Sequence, residues 1–118
     1  MSSLITSNIS DGTTSVPTGY VVNGSAKAWV NFNGTGTPAI VNSLNASSLS
    51  DDATGTYTIT YTNNFSAADY SATGLAGARL GDIGATFSAS GTTRRVYDEN
   101  GTLTDVTVVT LTANGDLA

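Results

Sequence analysis

Apolar and polar residues alternate with a period of two along much of this chain, and the first regular stretch begins at Ala26. One face of this stretch carries the small and apolar residues Ala28, Val30 and Phe32. The other face carries Lys27, Trp29 and Asn31. Successive side chains of a strand point to opposite faces, so the pattern predicts a strand with an aromatic residue on each face. Ala28, Val30 and Phe32 are expected to face the core. The other three are expected to face either a second layer or another subunit. Trp29, Phe32, Lys27 and Asn31 are therefore candidate core or interface residues.

The second regular stretch covers residues 56–62, where Tyr57, Ile59 and Tyr61 alternate with threonines. Threonine and tyrosine favour strands, and the alternation predicts one apolar face and one threonine face. We expect both tyrosine rings to be buried with their hydroxyl groups at an edge, because a phenol has an apolar body and a polar tip. Phe65, in the polar segment that follows, is expected to fold back onto the sheet.

Further short strands are predicted between turn signals. Their expected ranges are 18–22, 39–49, 70–75, 85–89, 92–97 and 105–111. Residues 51–55 are expected to form a turn, and Asn100-Gly101 predicts a hairpin that joins 92–97 to 105–111. Short strands at this spacing predict an all-β fold, a single antiparallel β-sandwich, jelly-roll-like, of about seven to eight strands.

The first 24 residues are polar and contain few apolar anchors, which are Leu4, Ile5 and Ile9. This composition predicts an extended N-terminal arm over residues 1–24 whose order depends on a neighbour, or alternatively a frayed terminus. Residues 25–118 then form the sandwich domain.

Composition narrows the classes of function. The 118 residues include four Lys or Arg and nine Asp or Glu, for a net charge of −5, and no histidine or cysteine. Scarce, dispersed cations argue against nucleic-acid binding. Without histidine and cysteine, the usual general base and thiolate zinc sites are absent. The absence of a long apolar run or a signal-peptide pattern predicts no membrane insertion and synthesis in the cytoplasm of the host cell.

Three acidic or basic clusters could carry chemistry, and each has a simpler interpretation. Residues 98–105 superficially resemble a calcium loop, but the glycine spacing favours a hairpin turn. Asp51-Asp52 is typical of a solvated turn. Arg94-Arg95 should place one side chain inward or into an interface, unless both cap a strand end in water. We therefore predict no catalytic residue, no metal and no cofactor.

The block from Ala26 to Thr37, followed by Ala39-Ile40, residues 43–48, Gly55 to Ile59 and Tyr70-Ser71, resembles a small β-rich module of bacteriophage tail-fibre and related virion structural proteins, including those of marine phages. The resemblance covers about residues 24–72 of the 118. It departs at Val41-Asn42, where a basic residue is more usual, and in the glycine-rich run over residues 74–84.

The resemblance implies a non-enzymatic virion structural protein that forms a homotrimer. The protein would be a short tail fibre or spike, or it would decorate the capsid. Its N-terminal arm would bind other phage virion proteins. An alternative is an adhesin that grips a host glycan or surface protein through the loops at residues 63–69 or 74–84.

Overall fold

The computed structural model describes residues 1–77, 79 and 86–118, and this part of the chain forms ten strands and one short helix. Their bounds are β1 Asn8–Ser10, β2 Ser15–Pro17, α1 Thr18–Gly24, β3 Ala26–Asn33, β4 Ala39–Leu44, β5 Ala46–Ala53, β6 Thr56–Tyr61, β7 Ser71–Thr73, β8 Thr86–Ser88, β9 Gly91–Arg95 and β10 Val109–Asn114.

Eight of these strands form two antiparallel sheets of four strands each. We call the sheet with the order β4-β3-β10-β7 the first sheet and the sheet with the order β5-β6-β9-β8 the second sheet. Strands β1 and β2 form a separate hairpin. The predicted antiparallel β-sandwich is confirmed.

The core lies between the inner faces of the two sheets. The first sheet contributes the predicted face of β3 and its neighbours in β10, which are Ala28, Val30, Phe32, Val109, Leu111 and Ala113. The second sheet contributes Tyr57, Ile59 and Tyr61. Phe32 packs edge-on against Tyr57 across the sandwich with ring centroids 5.1 Å apart. Offset and edge-to-face aromatic contacts of this kind add to the stabilisation that comes from burial alone.

The prediction of a single strand over residues 39–49 is wrong, because β4 ends before Asn45 and the chain passes there from the first sheet to the second. Asn45 has φ of 58°, a left-handed conformation that asparagine tolerates better than most residues. Its side chain accepts a hydrogen bond from Asn63 N (2.7 Å) and donates one to Asn63 O (3.0 Å). β4 therefore belongs to the first sheet and β5 to the second. The turn expected over residues 51–55 is shorter than predicted, because β5 continues to Ala53.

The hairpin predicted from Asn100-Gly101 is also wrong in its partner strands. A tight turn does form, since the Asp98 carboxylate accepts hydrogen bonds from the backbone N–H groups of Asn100 and Thr102, each 2.9 Å long. The chain then crosses to the first sheet, where β10 pairs with β3 and β7 rather than with β9. The local turn signal was correct, but it carried no information about which sheet the next strand joins.

Residues 18–22 form part of helix α1 and not the predicted strand. Pro17 lies at the helix N-terminus with φ of −58°, and a proline there is already set for helical geometry. The arm therefore consists of the β1–β2 hairpin and one short helix, and it adds to the length of the molecule, which measures 50 × 29 × 24 Å.

Candidate functional site

The arm exposes most of its apolar side chains. Leu4 and Ile5, two of the three predicted anchors, are 86% and 94% exposed, and Ile9 is 46% exposed. Tyr20 is the one aromatic residue of the arm, and it is 72% exposed. No residue of α1 is buried. Apolar groups displayed together in this way mark an interaction surface more often than a solvated one.

The hairpin of the arm is held by its own polar groups. The Asp11 carboxylate accepts hydrogen bonds from Thr14 N (2.7 Å) and Thr13 N (2.9 Å), and these bonds lower the pKa of Asp11. At the other end of the hairpin, Thr18 N donates to Ser7 O at 2.9 Å. The hairpin and helix are thus ordered by local bonds, while their apolar side chains remain available.

A shallow groove of about 480 Å³ lies on the arm itself. Its lining residues are Pro17, Gly19, Tyr20, Asn23 and Gly24. Tyr20 supplies most of the aromatic surface there, and the two glycines leave the helix backbone accessible. The groove has the character of a contact surface, because Tyr20 is the one ionisable side chain among its lining residues and no second acid, base or nucleophile lies beside it there.

Hydrogen bonds connect the last residues of the arm to the sandwich, and in one of them Ser25 N donates to Val21 O at 3.2 Å. Asn114 Nδ2, at the end of β10, donates to Gly24 O at 2.7 Å. The Lys27 ammonium group donates to Ser25 O at 2.8 Å and to Ser25 Oγ at 3.1 Å. The predicted site residue Lys27 therefore lies at the junction between arm and sandwich.

The structure separates the four candidate residues of β3. Phe32 is fully buried in the core. Trp29 lies on the opposite, outer face, where it is half-buried between Leu44 of β4 and Thr112 of β10. Asn31 lies on the same face between Asn42 and Thr110. The outer face of the first sheet therefore presents a tryptophan flanked by a leucine that is 48% exposed.

Strand β4 is one edge of the first sheet, and within the described residues no strand pairs with its far side. Its sequence contains no charged residue, and Val41 is 69% exposed. Proteins commonly protect an edge strand with charge, proline or short length. β5, at the edge of the second sheet, carries Asp51 and Asp52. Of these two edges, β4 is the one better suited to pair with another strand.

One of the two adjacent arginines is directed inward, as the sequence pattern suggested. Arg94 is only 3% exposed, and its Nη2 atom would lie 3.2 Å from a Cβ placed on Gly74 of the opposite sheet. Arg95 is half-buried on the other face of β9. The interpretation in which both arginines cap a strand end in water is wrong.

The acidic clusters hold turns and strand ends in the described structure. Asp52 accepts hydrogen bonds from Ser50 Oγ (2.7 Å) and Thr58 Oγ1 (2.5 Å). Within residues 1–77, 79 and 86–118, no three acidic, histidine or cysteine side chains come together as a metal site would require.

Of the two candidate adhesin loops, the structure describes residues 63–69 completely and residues 74–84 only in part. In residues 63–69, Phe65 is 1% exposed, as predicted, and stacks on Tyr70 with ring centroids 4.2 Å apart. Phe65 N donates to Ala89 O and Ser66 N donates to Asp116 O. Most of the other loop lies outside the described residues, namely residues 78 and 80–84. Residue 85, the first residue of the strand predicted over 85–89, also lies outside them.

Sequence reasoning missed two polar clusters, one where the segment around Asp105 meets β6 and one inside the sandwich. In the first, Asp105 Oδ1 accepts hydrogen bonds from the Tyr57 hydroxyl (2.8 Å) and Gly55 N (2.7 Å). The Tyr57 oxygen is also 2.8 Å from Gly34 O. Burial, followed by the hydrogen bond to Asp105, raises the pKa of Tyr57. No local pattern indicated this contact, because the partners are far apart in sequence.

The second cluster lies inside the sandwich. The Tyr61 hydroxyl is 2.7 Å from Thr92 Oγ1, and the Tyr70 hydroxyl contacts the same oxygen. Tyr70 also donates to Gly91 O at 2.9 Å. Burial is the main cause that raises the pKa of Tyr61. The expectation that this hydroxyl lies at an edge is wrong. Thr92 is opposite Ile59 in the sheet and shares the inner face of β9 with the buried Arg94, so no pattern near Tyr61 indicated this contact.

Comparison with known proteins adds no relative. No protein-family model matches the chain. No curated protein matches it, and neither does any solved structure. In the described part of the chain, none of the helical segments has the length and apolar character required to cross a bilayer.

Proposed function

We propose that this chain is a structural subunit of a bacteriophage particle, assembled as a homotrimer and anchored to other virion proteins through its arm. The observation that carries the proposal is the exposure of the apolar arm, above all Leu4 and Ile5. The resemblance of residues 24–72 to tail-fibre modules supports the choice of a virion over other assemblies.

The energetics favour a covered arm. Burying a leucine or isoleucine side chain contributes about 1.5–3 kcal/mol, so Leu4, Ile5 and Ile9 together offer about 5–9 kcal/mol before ordering costs are subtracted. This apolar surface lies outside the core of the sandwich. A binding partner could use it without disturbing the fold.

A structural role also agrees with how the interior polar groups are used. The Asp105 carboxylate and the Tyr57 hydroxyl bind each other and backbone groups at Gly34 and Gly55. Tyr70 binds backbone carbonyl groups as well. These polar groups contribute to the stability of the sandwich, and the proposal assigns the chain no enzymatic activity.

Particle incorporation tests the proposal directly. A tagged full-length chain and a variant lacking residues 2–20 are each expressed during phage infection, and purified particles are examined by mass spectrometry. The full chain is expected in the particles, while the deleted chain folds but is absent from them. Normal incorporation of the deleted chain would contradict the proposal.

A matched pair of point variants separates apolar contact from arm length. Leu4→Asp with Ile5→Asp is expected to block incorporation, because a carboxylate placed in an apolar contact is costly to desolvate. Ser2→Asp with Ser3→Asp adds the same charge next to the anchors and is expected to incorporate. Electron microscopy of labelled particles then locates the subunit at the tail or on the capsid.

A second candidate function is the adhesin, which the loop at residues 63–69 favours. Its buried Phe65 and its backbone bonds fix a rigid base, while Asn64, Ala67 and Asp69 are exposed. Rigidly supported loops are common binding sites. Binding of the purified chain to host cells, lost in Asn64→Ala with Asp69→Ala, would support this role. Unchanged cell binding by that variant would argue against this loop.

A further inference from the structure

We propose that residues 2–6 of one copy add as an extra strand to the open edge of β4 in a second copy. This pairing rests on the homotrimer proposed above and deepens it, because it assigns residues 2–6 to the contact between copies and leaves the β1–β2 hairpin and α1 to bind other virion proteins. Strand addition to an exposed sheet edge is a common mode of recognition, in which main-chain hydrogen bonds supply affinity and side-chain contacts supply specificity.

The acceptor is the most available edge in the described part of the chain. β4 has six residues and no charge, whereas the edge strands β7 and β8 have three residues each. The remaining sheet edge, β5, ends in an acidic pair. A free edge of this length, without charge, presents unpaired backbone groups to a neighbouring chain.

The donor is the segment that precedes the β1–β2 hairpin. Residues 1–6 have no regular secondary structure, and residues 2–5 make no hydrogen bond to any part of the chain that the structure describes. The segment leaves the arm at Ser7, whose carbonyl is bound by Thr18 N at 2.9 Å. Its backbone is therefore free to pair, and its starting point is fixed.

The side chains of donor and acceptor match on both faces. Adjacent residues of a strand point to opposite faces, so Leu4 and Ile5 would lie on opposite sides of an added strand. On the inner side, β4 offers Ile40, which is half-buried against the core. Next to Ile40, at the bulge of β4, Val41 is 69% exposed. An added strand that sets Leu4 opposite one of these two residues sets Ile5 opposite the other, and neither strand carries a charge that would have to be desolvated.

A second copy is favoured because residues 2–5 remain unpaired within one copy in the described structure, and because the chain is extended. The radius of gyration is 16.5 Å, against about 13–14 Å for a compact domain of this length. Each copy would hold one donor and one acceptor, which makes the contact head-to-tail. Head-to-tail contacts form a closed ring when the rotation between copies closes, and a ring of three agrees with the proposed homotrimer.

Thiol cross-linking tests the pairing cleanly, because the chain contains no cysteine. Ile5→Cys is mixed with Val41→Cys, and a short bis-maleimide joins thiols that come close. Ser48→Cys, exposed on the outer face of the second sheet, replaces Val41→Cys in the control mixture. A covalent Ile5–Val41 product between copies, several-fold stronger than the control product, supports the pairing.

Two results would overturn it. One is an Ile5–Val41 product no stronger than the control. The other is a double variant, Ile5→Cys with Val41→Cys, that cross-links within a single monomer and not between copies. Incorporation of the same cysteine variants into particles is measured in parallel. Incorporation without the cross-link removes the β4 pairing alone, whereas incorporation of the chain that lacks residues 2–20 removes the proposed function.

A charged edge gives a second readout. Val41→Lys with Leu44→Lys is expected to raise the dissociation constant of the assembly by about tenfold or more. The matched variant Ser48→Lys is expected to leave that constant unchanged. Equal dissociation constants for the two variants would count against the β4 edge.

Discussion

Removing the hydroxyl of Tyr57 should destabilise the sandwich without changing its packing. Tyr57 is fully buried, and its ring packs edge-on against Phe32. Tyr57→Phe keeps that ring contact and deletes only the oxygen, which is 2.8 Å from both Asp105 Oδ1 and Gly34 O. The single hydroxyl proton is best donated to the Asp105 carboxylate, because a charged acceptor makes the stronger bond.

The expected loss follows from these contacts. A hydrogen bond to a charged group contributes about 1.5–3 kcal/mol, and Asp105 keeps its bond from Gly55 N, so we expect a loss of about 2 kcal/mol. For a domain of 118 residues this corresponds to a decrease in Tm of roughly 8 °C.

Thermal and urea unfolding, followed by circular dichroism, measure the change. Tyr20→Phe is the matched control, because Tyr20 is 72% exposed and should melt like the parent chain. If Tyr57→Phe and Tyr20→Phe have the same Tm, the bond to Asp105 does not stabilise the fold and the reasoning is refuted.

Three further predictions concern pH, a glycine and the tryptophan. The pKa values of Tyr57 and Tyr61 are raised above the ordinary value of 10.0. Just above pH 10, both hydroxyl groups therefore stay neutral in the folded state while they ionise in the unfolded state. Their contribution to stability is complete below pH 10 and is lost as the pH rises toward the folded pKa, so urea midpoints should fall above pH 10 and fall less steeply in Tyr57→Phe. Gly34→Ala should lower the free energy of unfolding by about 1–3 kcal/mol, because a Cβ at this position would lie 2.5 Å from the Tyr57 oxygen. Gly19→Ala is the control, because a Cβ there meets no atom within 4 Å and should leave the stability unchanged. Equal urea midpoints for the two variants would contradict this prediction. Trp29→Ala should lower the free energy of unfolding by much less than the about 3–5 kcal/mol expected for a core tryptophan, because Trp29 lies on the outer face. The same variant should associate more weakly in analytical ultracentrifugation. A core-sized loss of stability in a fully associated variant would contradict this placement.

The sequence was most informative where one face of a strand is buried. β3 and β6 were predicted nearly to the residue, because their inner side chains alternate strictly with polar ones. Phe65 was also predicted correctly, since a lone phenylalanine in a polar loop has little reason to remain in water.

The errors arose where a local signal had to decide a long-range question. Asn100-Gly101 predicts a turn, and a turn forms, but the strand that follows it pairs with β3 and β7 rather than with β9. Asn45 was not recognised as the point where the chain changes sheets, because its left-handed conformation depends on Asn63. β-branched residues in 18–22 suggested a strand, whereas Pro17 and the neighbouring glycine allow a helix.

The candidate site was only partly accessible to sequence reasoning. Leu4, Ile5 and Ile9 were identified from composition alone, and the structure leaves them exposed. The open edge of β4 could not be predicted, because it depends on which sheet β4 joins and on the absence of a strand beyond it.

Molar mass in solution tests the central claim, that the arm joins copies of this chain, most directly. Light scattering on the full chain should give three times 11.9 kDa, and the variant lacking residues 2–20 should fold and remain monomeric. A full chain that is monomeric at micromolar concentration, or a deleted chain of the same oligomeric state as the parent, would contradict the account.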